Sequence, residues 1–577
     1  MRLLPEKPLA TSQEPQERAL RQLVEAVLYE GLAELRPAST PRVLEWRLGG
    51  RHYRARGTIG PFGRPRLEPT SVQVEGVGGS WRPADIEALV GALPADGESR
   101  RRLMAELSQT IELCRWNRDN LSLADRRGLP FAALDSALAE GHPYHPCFKS
   151  RTGFSPEDHA RFGPEAAQPF RLEWLAVSRS EIAFSLPGTE ADFWHHELGA
   201  ERDVLADSLA EMGHGFQTHA LLPVHPWQMR HLAQGMLRSW FADGRAVALG
   251  VAGPRYVASQ SLRTLHNFDQ PGASSVKLAL SVVSTSSLRI LDPHFVLTGP
   301  ALSGWLARIV ASDPLLRGRY RMDVLAEHAA SLVDQDGALA GQLAAIWRES
   351  PKLAPGEAAV PFNALTALEA DRTTFVAPWL SRYGLHAWLD RLVEVAVMPV
   401  WHLLVAQGVA LEAHGQNMIL VHRDGWPERI ILRDFHESAE YAPDFVLEPS
   451  HVPDLGAIDP AHAGPVDDRF HAMRSPAVLA ELVTDALFVF NLSELTHLLQ
   501  RLHTFDEPAF WQRLARRLRC HAAEHGLEDR LALIGIDAPH LKVEALLSRK
   551  LGLGEEASSH LVPNALLPPS ANLREVS

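Results

Sequence analysis

Cysteine and lysine are both scarce in this 577-residue chain. Its cysteines are Cys114, Cys147 and Cys520, and only six of its 57 Lys and Arg residues are lysine. An odd, widely spaced set of cysteines excludes a disulfide framework and fits a reducing compartment, so a cytoplasmic location is expected. No Gly-Lys dipeptide occurs, which removes the P-loop, and no G-x-S-x-G or H-E-x-x-H removes the nucleophile elbow and the helical zinc motif. Gly552 and Gly554 followed by Ala557 imitate a dinucleotide motif but lack the strand before and the acid after. The opening MRLLPEKPLATSQEPQ has no apolar core ahead of its prolines and acids and does not read as a signal peptide. The most apolar stretch, LVEVAVMPVWHLLVAQGVAL, is interrupted by Glu394, Pro399 and His402 and reads as a buried helix, so no membrane partner is expected. A net charge of −13 argues against nucleic acid as well. Any anion must therefore meet a local basic pocket.

What is present is ordinary globular material, 46% hydrophobic and 22% charged, long enough for roughly two to four domains. Leu20, Leu23, Val24, Val27, Leu28, Leu32 and Leu35 form one stripe of a helix over about 16–36. VLEWRL, Gly49-Gly50 and RHYRAR spell a hairpin. Helix follows from about Pro83 to Asp119, with a break at Pro94 to Gly97. From 141 the texture becomes strand-like: FRLEWLAVSR, LLPVHPW, then RYVASQSLRTL and SVKLALSVVS as a long hairpin around HNFDQPGAS. In SVKLALSVVS the aliphatic residues Val276, Leu278, Leu280 and Val282 alternate with Lys277, which faces the other way. After about 315 the pattern is mainly helical, as in MDVLAEHAASLV and LHAWLDRLVEVAVMPVWHLLVAQ, and the chain ends in a Pro-rich, extended tail.

One exception stands in the helical region. After Gly408 come VALEAHGQN, MILVH, the turn RDGWPE and RIILRDF, a hairpin whose open end carries polar groups. If 418–422 pairs with 429–433, Asn417 lies opposite Asp434, with Glu412 and His414 just outside. An adjacent Asn and Asp suit Mg2+, which takes oxygen ligands and completes its shell with water and phosphate; caps on two strand ends are the alternative.

EAHGQN with RDF downstream resembles the signature of the IucA/IucC family, the siderophore synthetases that work without a nonribosomal peptide template. Four further segments match in order: GHPYHPCFKSRTGF (Gly141 to Phe154), LPVHPWQ (Leu222 to Gln228), SLRT (Ser261 to Thr264), and Lys277 with Thr285 and Arg289. Weaker echoes are LKVEALLSRK and VPNALL. Lys149, Lys277 and Lys542 fall inside matched segments.

The resemblance implies an α/β (mixed α+β) fold in three parts: a thumb over 1–140, fingers with an antiparallel sheet over 141–315, and a mainly helical palm with the hairpin over 316–577. It also implies a homodimer. The expected activity is ATP-dependent adenylation of citrate or a citryl derivative, then condensation with an amine, hydroxylamine or alcohol, releasing AMP and pyrophosphate. Ser261, Arg263, Thr264, Lys277, Gln416, Asn417 and Asp434 would bind ATP, and Asn417, Asp434 and Glu412 would hold Mg2+. Arg289 and His414 would act between the α-phosphate and the carboxylate, with Lys277 beside them; His142, Lys149 and Thr285 would contact the acid. His142 and His145, like His195 and His196, are read as hydrogen-bonding or surface histidines before zinc ligands. Two other readings stay open: a kinase-like phosphotransferase, whose product would be ADP, and a carrier that binds citrate or ferric siderophore without turnover.

Overall fold

The computed structural model describes residues 14–36, 40–121 and 125–568; residues 1–13 of the opening segment and 569–577 of the Pro-rich tail lie outside them. The first helix, Pro15–Tyr29, buries Leu23, Val24, Ala26 and Val27. Strands Val43–Leu48 and Arg51–Ile59 pair across Gly49 and Gly50, both at positive φ as a tight hairpin turn requires, and Trp46 stacks on Tyr53. Helices Ile86–Gly91 and Gly97–Asn120 follow, the second capped by Asp96 accepting from the Ser99 amide.

An eight-stranded antiparallel sheet dominates the middle of the chain. Its order is His219–Val224, Phe170–Ser178, Ala246–Ala258, Thr264–Asn267, Ser275–Leu278, Ala344–Arg348, Glu327–Val333 and Ile182–Ser185. Phe170–Ser178 and Ile182–Ser185 stand six places apart in that order, about 29 Å in a flat sheet, yet residues 179–181 alone connect them, a reach of about 15 Å. The sheet therefore curls. One face packs Trp174, Trp194, Trp227 and Trp347 with Val276, Leu278, Leu280 and Val282. Lys277 points to the opposite face, as the alternation predicts.

Outside the strands given to the sheet, much of the chain from Leu302 to Leu566 shares a core with the N-terminal unit: Val24, Trp46, Trp305, Trp388, Trp511 and Leu566 belong to a single cluster. The helix over 385–407 runs through Pro399, with wide turns at Val393–Val397 and Leu403–Gln407. Ser559–Pro563 pairs with His540–Glu544, so this part of the tail is a strand.

Three expectations are corrected. MDVLAEHAASLV is strand, Asp323–Val324 and Glu327–Val333, not helix. Its alanines favour helix, but nearly every residue of Glu327–Val333 is buried, so a central strand covered on both faces shows no alternation to read. The sheet thus draws its strands from beyond residue 315. RYVASQSLRTL is not one strand: it turns at Ser259–Arg263, with Leu262 at φ 70, before Thr264–Asn267 begins. The 418–432 hairpin is shifted by one: Met418 pairs with Leu432, so Asn417 meets Arg433. The turn is only Asp424–Gly425, so Trp426–Glu428, which the sequence pattern gives to the turn, belong to the strand; a bulge at Glu428, opposite the step from Val421 to His422, recovers one residue of the resulting offset and leaves the other. Among the described residues no helix is long and apolar enough to cross a membrane.

Candidate active site

Two ladders set two loops side by side. Val409–Leu411 pairs with Ala439–Tyr441, and Met418–Arg423 pairs with Trp426–Leu432. The connections between these ladders, 412–417 and 433–438, must therefore leave the same end. Gly415 packs closely there: a Cβ would stand 3.2 Å from Asn363 Cβ and from Asn491 Oδ1, tighter than ordinary van der Waals contact. Asp434 takes a left-handed conformation, φ 66, which turns the chain just after the shifted register.

These loops face the sheet across a cleft of about 1550 Å³. Register explains the cations opposite. Ser275 pairs with Arg348 and Lys277 with Ile346, so Lys277 and Arg348 emerge on one face. Both donate to Asp434 Oδ1, at 3.0 and 2.7 Å. Burial alone would raise the Asp434 carboxyl, but Arg348 and Lys277 outweigh it and hold it well below the usual carboxylate range. Burial in turn lowers the Lys277 ammonium. Arg263 donates to the Ile290 carbonyl and to Glu437 at 3.0 Å. Arg433 is spent on Asp135 at 2.9 Å, and His266 donates to the same carboxylate at 3.0 Å.

Arg289 differs from all of these. It donates to the Ser284 carbonyl at 3.0 Å and Thr285 Oγ1 at 2.9 Å, its Nε has no partner, and among the described residues it makes no ion pair. Burial, then Arg263 beside it, pulls its guanidinium down to about 10. A charged guanidinium without a carboxylate, aimed into a cleft, is a preformed anion site. Nearby, His414 Nδ1 accepts from the backbone amides of Gln416 and Asn417 at 3.1 and 3.3 Å. That assigns the proton to Nε2, which lies 3.8 Å from Glu412.

The oxygens fit Mg2+. Asn417 Nδ2 is used on Glu412 and Asp434 Oδ1 on the two cations, while Asp434 Oδ2 and Asn417 Oδ1 receive no hydrogen bond among the described residues. These two open oxygens, with Glu412 beside the Asn417 amide nitrogen at 3.4 Å, are too few for a closed cage, as suits an ion that keeps water and phosphate.

Ser261, Arg263, Lys277, Thr285, Arg289, Glu412, His414, Gln416, Asn417, Asp434, His142 and Lys149 all line the cleft. Thr264 does not; it is buried in the sheet, its hydroxyl without a partner. His142 is held neutral at about 3 by burial, then by His414, and its Nδ1 accepts from the Tyr144 and His145 amides. Lys149 is buried against Glu165, which Arg151 also contacts at 2.8 Å, so its charge is already engaged. His195 and His196 sit exposed on helix Glu190–Leu198.

Sequence reading missed the carboxylates on the far side of the cleft. Glu440 and Asp485 line it with Glu412 and Glu544. Glu440 has no hydrogen-bonding partner among the described residues, and burial, then Glu412, pushes it up to about 8. Asp485 Oδ1 is buried without a partner, and burial, then Glu544, raises that carboxyl well above its usual range. The only available signal was the density of acids around RDFHESAE. Arg348, Glu437 and Asp135 were missed as well.

Residues 130–367 match the family described as IucA / IucC family, and residues 386–559 match one described as ferric iron reductase FhuF-like transporter. The chain is 33% identical over 571 residues to the citryl-spermidine/3,4-dihydroxybenzoyl-citryl-spermidine:spermidine ligase of Bacillus anthracis, covering 95% of this chain and 93% of the relative. It is 33% identical over 492 residues to aerobactin synthase of Escherichia coli, covering 81% of each. Among solved structures it is similar to petrobactin biosynthesis protein AsbB from Bacillus anthracis str. Sterne, with a TM-score of 0.89 and 31% identity over 96% of this chain and 95% of that one.

Proposed function

Because the chain belongs to the IucA / IucC family, we propose that it is a siderophore synthetase that activates a carboxylate of citrate or a citryl derivative with ATP and transfers the acyl group to a cationic amine. The unpaired Arg289, in one cleft with Glu412 and with Glu440 and Asp485, which have no cation among the described residues, is the observation that carries this reading.

A carboxylate and an amine do not condense at neutral pH. A carboxylate oxygen attacks the α-phosphorus, pyrophosphate leaves, the amine nitrogen attacks the acyl carbon, and AMP leaves with the electrons of the broken C–O bond. The first step presses polyanions together, so cations placed in advance lower its barrier most. Arg263 and Lys277 neutralise the phosphates, and Arg289 spans the carboxylate and the α-phosphorus. His414 donates its Nε2–H to the same centre. Asp434, Asn417 and Glu412 would hold Mg2+, which would supply further charge neutralisation on the phosphates.

The second step needs an amine, and the acidic side supports a polycationic one. Carboxylates crowded until their pKa rises are stabilised by a bound cation. The relative from Bacillus anthracis is a spermidine ligase by name, and the cleft of about 1550 Å³ exceeds the roughly 300–1,000 Å³ of a site for one small ligand. It has room for nucleotide, acid and amine together.

The test is incubation with ATP, Mg2+, citrate or a citryl amide, and polyamines, followed by mass spectrometry. AMP, pyrophosphate and an amide are expected. ADP with a phosphorylated acceptor would support the phosphotransferase instead, and binding of citrate with no nucleotide consumed under any amine would support a carrier.

A further inference from the structure

The Arg289 segment is held in an uncomfortable shape. Val283–Ser284 and Ser287–Leu288 form a minimal hairpin with Thr285 and Ser286 as its turn, and Thr285 sits at φ 55. A β-branched residue at positive φ is strained and persists only where its surroundings hold it. Arg289 depends on that turn, since both of its hydrogen bonds go to Ser284 and Thr285.

Arg151–Thr152 pairs with Val283–Ser284 and supports the hairpin's stem, but the contact on the turn itself comes from the far end of the chain. Lys550, the last residue of helix Leu546–Lys550, donates from Nζ to the Thr285 carbonyl at 2.6 Å and pairs with Glu106 on helix Gly97–Asn120. Its side chain is only 8% exposed and does not line the cleft. The helix that carries it is itself anchored: Glu30 accepts from the Leu547 and Ser548 amides at 2.9 and 2.7 Å, from Ser548 Oγ at 2.7 Å, and from Tyr144 at 2.6 Å. An ammonium with three donors on a flexible stem can satisfy a carboxylate and a carbonyl at once, and in a chain this poor in lysine it stands next to the exposed Arg549.

We propose that Lys550 is a positioning residue: fixed on Glu106, it clamps the Thr285 carbonyl and so sets the turn from which Arg289 reaches the reacting carboxylate. This rests on the role given to Arg289 above. It makes the carboxyl-terminal helix part of the activation site without touching any substrate.

Two measurements on the full chain test it. Hydrogen exchange follows peptides spanning 280–290, where Leu280 N–H donates to the Arg289 carbonyl and Arg289 N–H to the Val282 carbonyl. Lys550→Met should speed exchange there about tenfold, and leave 170–178 unchanged. In the acid-dependent release of pyrophosphate, kcat should fall about 100-fold with KM for ATP unmoved, because a group displaced by about an ångström loses rate and not affinity. Lys550→Arg should restore part of the rate. The double variant Glu106→Gln with Lys550→Met leaves no unpaired buried charge and should behave as Lys550→Met does, which guards against simple misfolding. Unchanged exchange over 280–290 in a folded Lys550→Met chain overturns the proposal, as does equal loss in KM and kcat. If the wild-type chain forms no AMP, the proposed function fails while the exchange experiment still decides on Lys550.

Discussion

The two sides of the cleft are charged in opposite ways and prepared in opposite ways. On the sheet side nearly every cation already has a carboxylate: Lys277 and Arg348 share Asp434, and Arg263 has Glu437. On the loop side Glu440 and Asp485 have no cation among the described residues, and their carboxyls are raised by burial first and by neighbouring carboxylates after it. The pairing stabilises the cationic wall before any ligand arrives and orients it, which is the arrangement that favours a developing anionic transition state. The acidic wall is left destabilised, and a bound polycation relieves it. Arg289 is the exception that connects the two, a cation on the prepared side left as bare as the acids opposite.

That contrast breaks most completely at Arg289. Arg289→Ala should lower acid-dependent pyrophosphate release by about 10³-fold, the cost of removing one preorganised group from a developing anion. Thermal unfolding should be unchanged or slightly improved, because no carboxylate is stranded. A fold that collapses, or turnover near normal, would mean that Arg289 is structural. Next comes Asp434→Asn, which frees Lys277 and Arg348 from their carboxylate and removes a ligand oxygen for Mg2+. The rate should fall about 100-fold with a higher Mg2+ requirement, and the variant should unfold at lower temperature, since breaking a buried pair costs about 3–5 kcal/mol.

Much of the cationic wall was legible beforehand. Lys277 was visible because its neighbours alternate, and Arg263, Arg289 and His414 because their order along the chain resembles one family. Asn417 and Asp434 were found, but their partners were displaced by one residue, since Trp426–Glu428, which read as turn, belong to the strand, and the bulge at Glu428 that partly offsets them leaves no mark in a pattern of apolar residues. Strand Glu327–Val333, covered on both faces, looked helical. Of the acidic wall only Glu412 was legible, and there as a magnesium ligand. Glu440 and Asp485 come from a short strand and a helix brought beside it only by tertiary packing, and an isolated acid in sequence reads as a solvated charge. Arg348 was hidden in the same way, its role depending on a register that no local pattern specifies.

A smaller effect sharpens the comparison from the acidic side. At about pH 9, where Glu440 is ionised, Glu440→Gln should raise KM for the amine about tenfold, worth about 1.4 kcal/mol for one partly solvated charge pair, with KM for ATP and for the acid unchanged. Stability should move the other way. The carboxyl ordinarily near 4.5 is raised to about 8 in the folded chain, so the folded state holds its proton more tightly than the unfolded state does. The ionised group therefore weakens the fold progressively as pH rises from about 4.5 to 8. Substitution by Gln removes that penalty, and melting above pH 8 should occur at the same or a higher temperature. A loss of amine affinity accompanied by a lower melting temperature would make Glu440 a structural residue.

The pH dependence of that variant isolates the charge itself. Any amine nucleophile must lose a proton before it attacks, so kcat/KM rises with pH for reasons that have nothing to do with the acidic wall. Dividing the wild-type value by the Glu440→Gln value at each pH cancels that common term. The quotient should be near one at pH 6.5, where Glu440 is protonated and resembles its amide, and climb several-fold between pH 7 and 9 as the carboxylate forms, with a midpoint near the value of about 8 set by burial and Glu412. Glu412, Asp468 and Glu481 face the same group and shift that midpoint upward together, so Glu412→Gln should move it down toward the ordinary carboxylate range. A quotient that stays flat from pH 6.5 to 9 would show that the amine does not feel Glu440, and the acidic wall would then be a cost of folding the two loops together and not a feature of recognition.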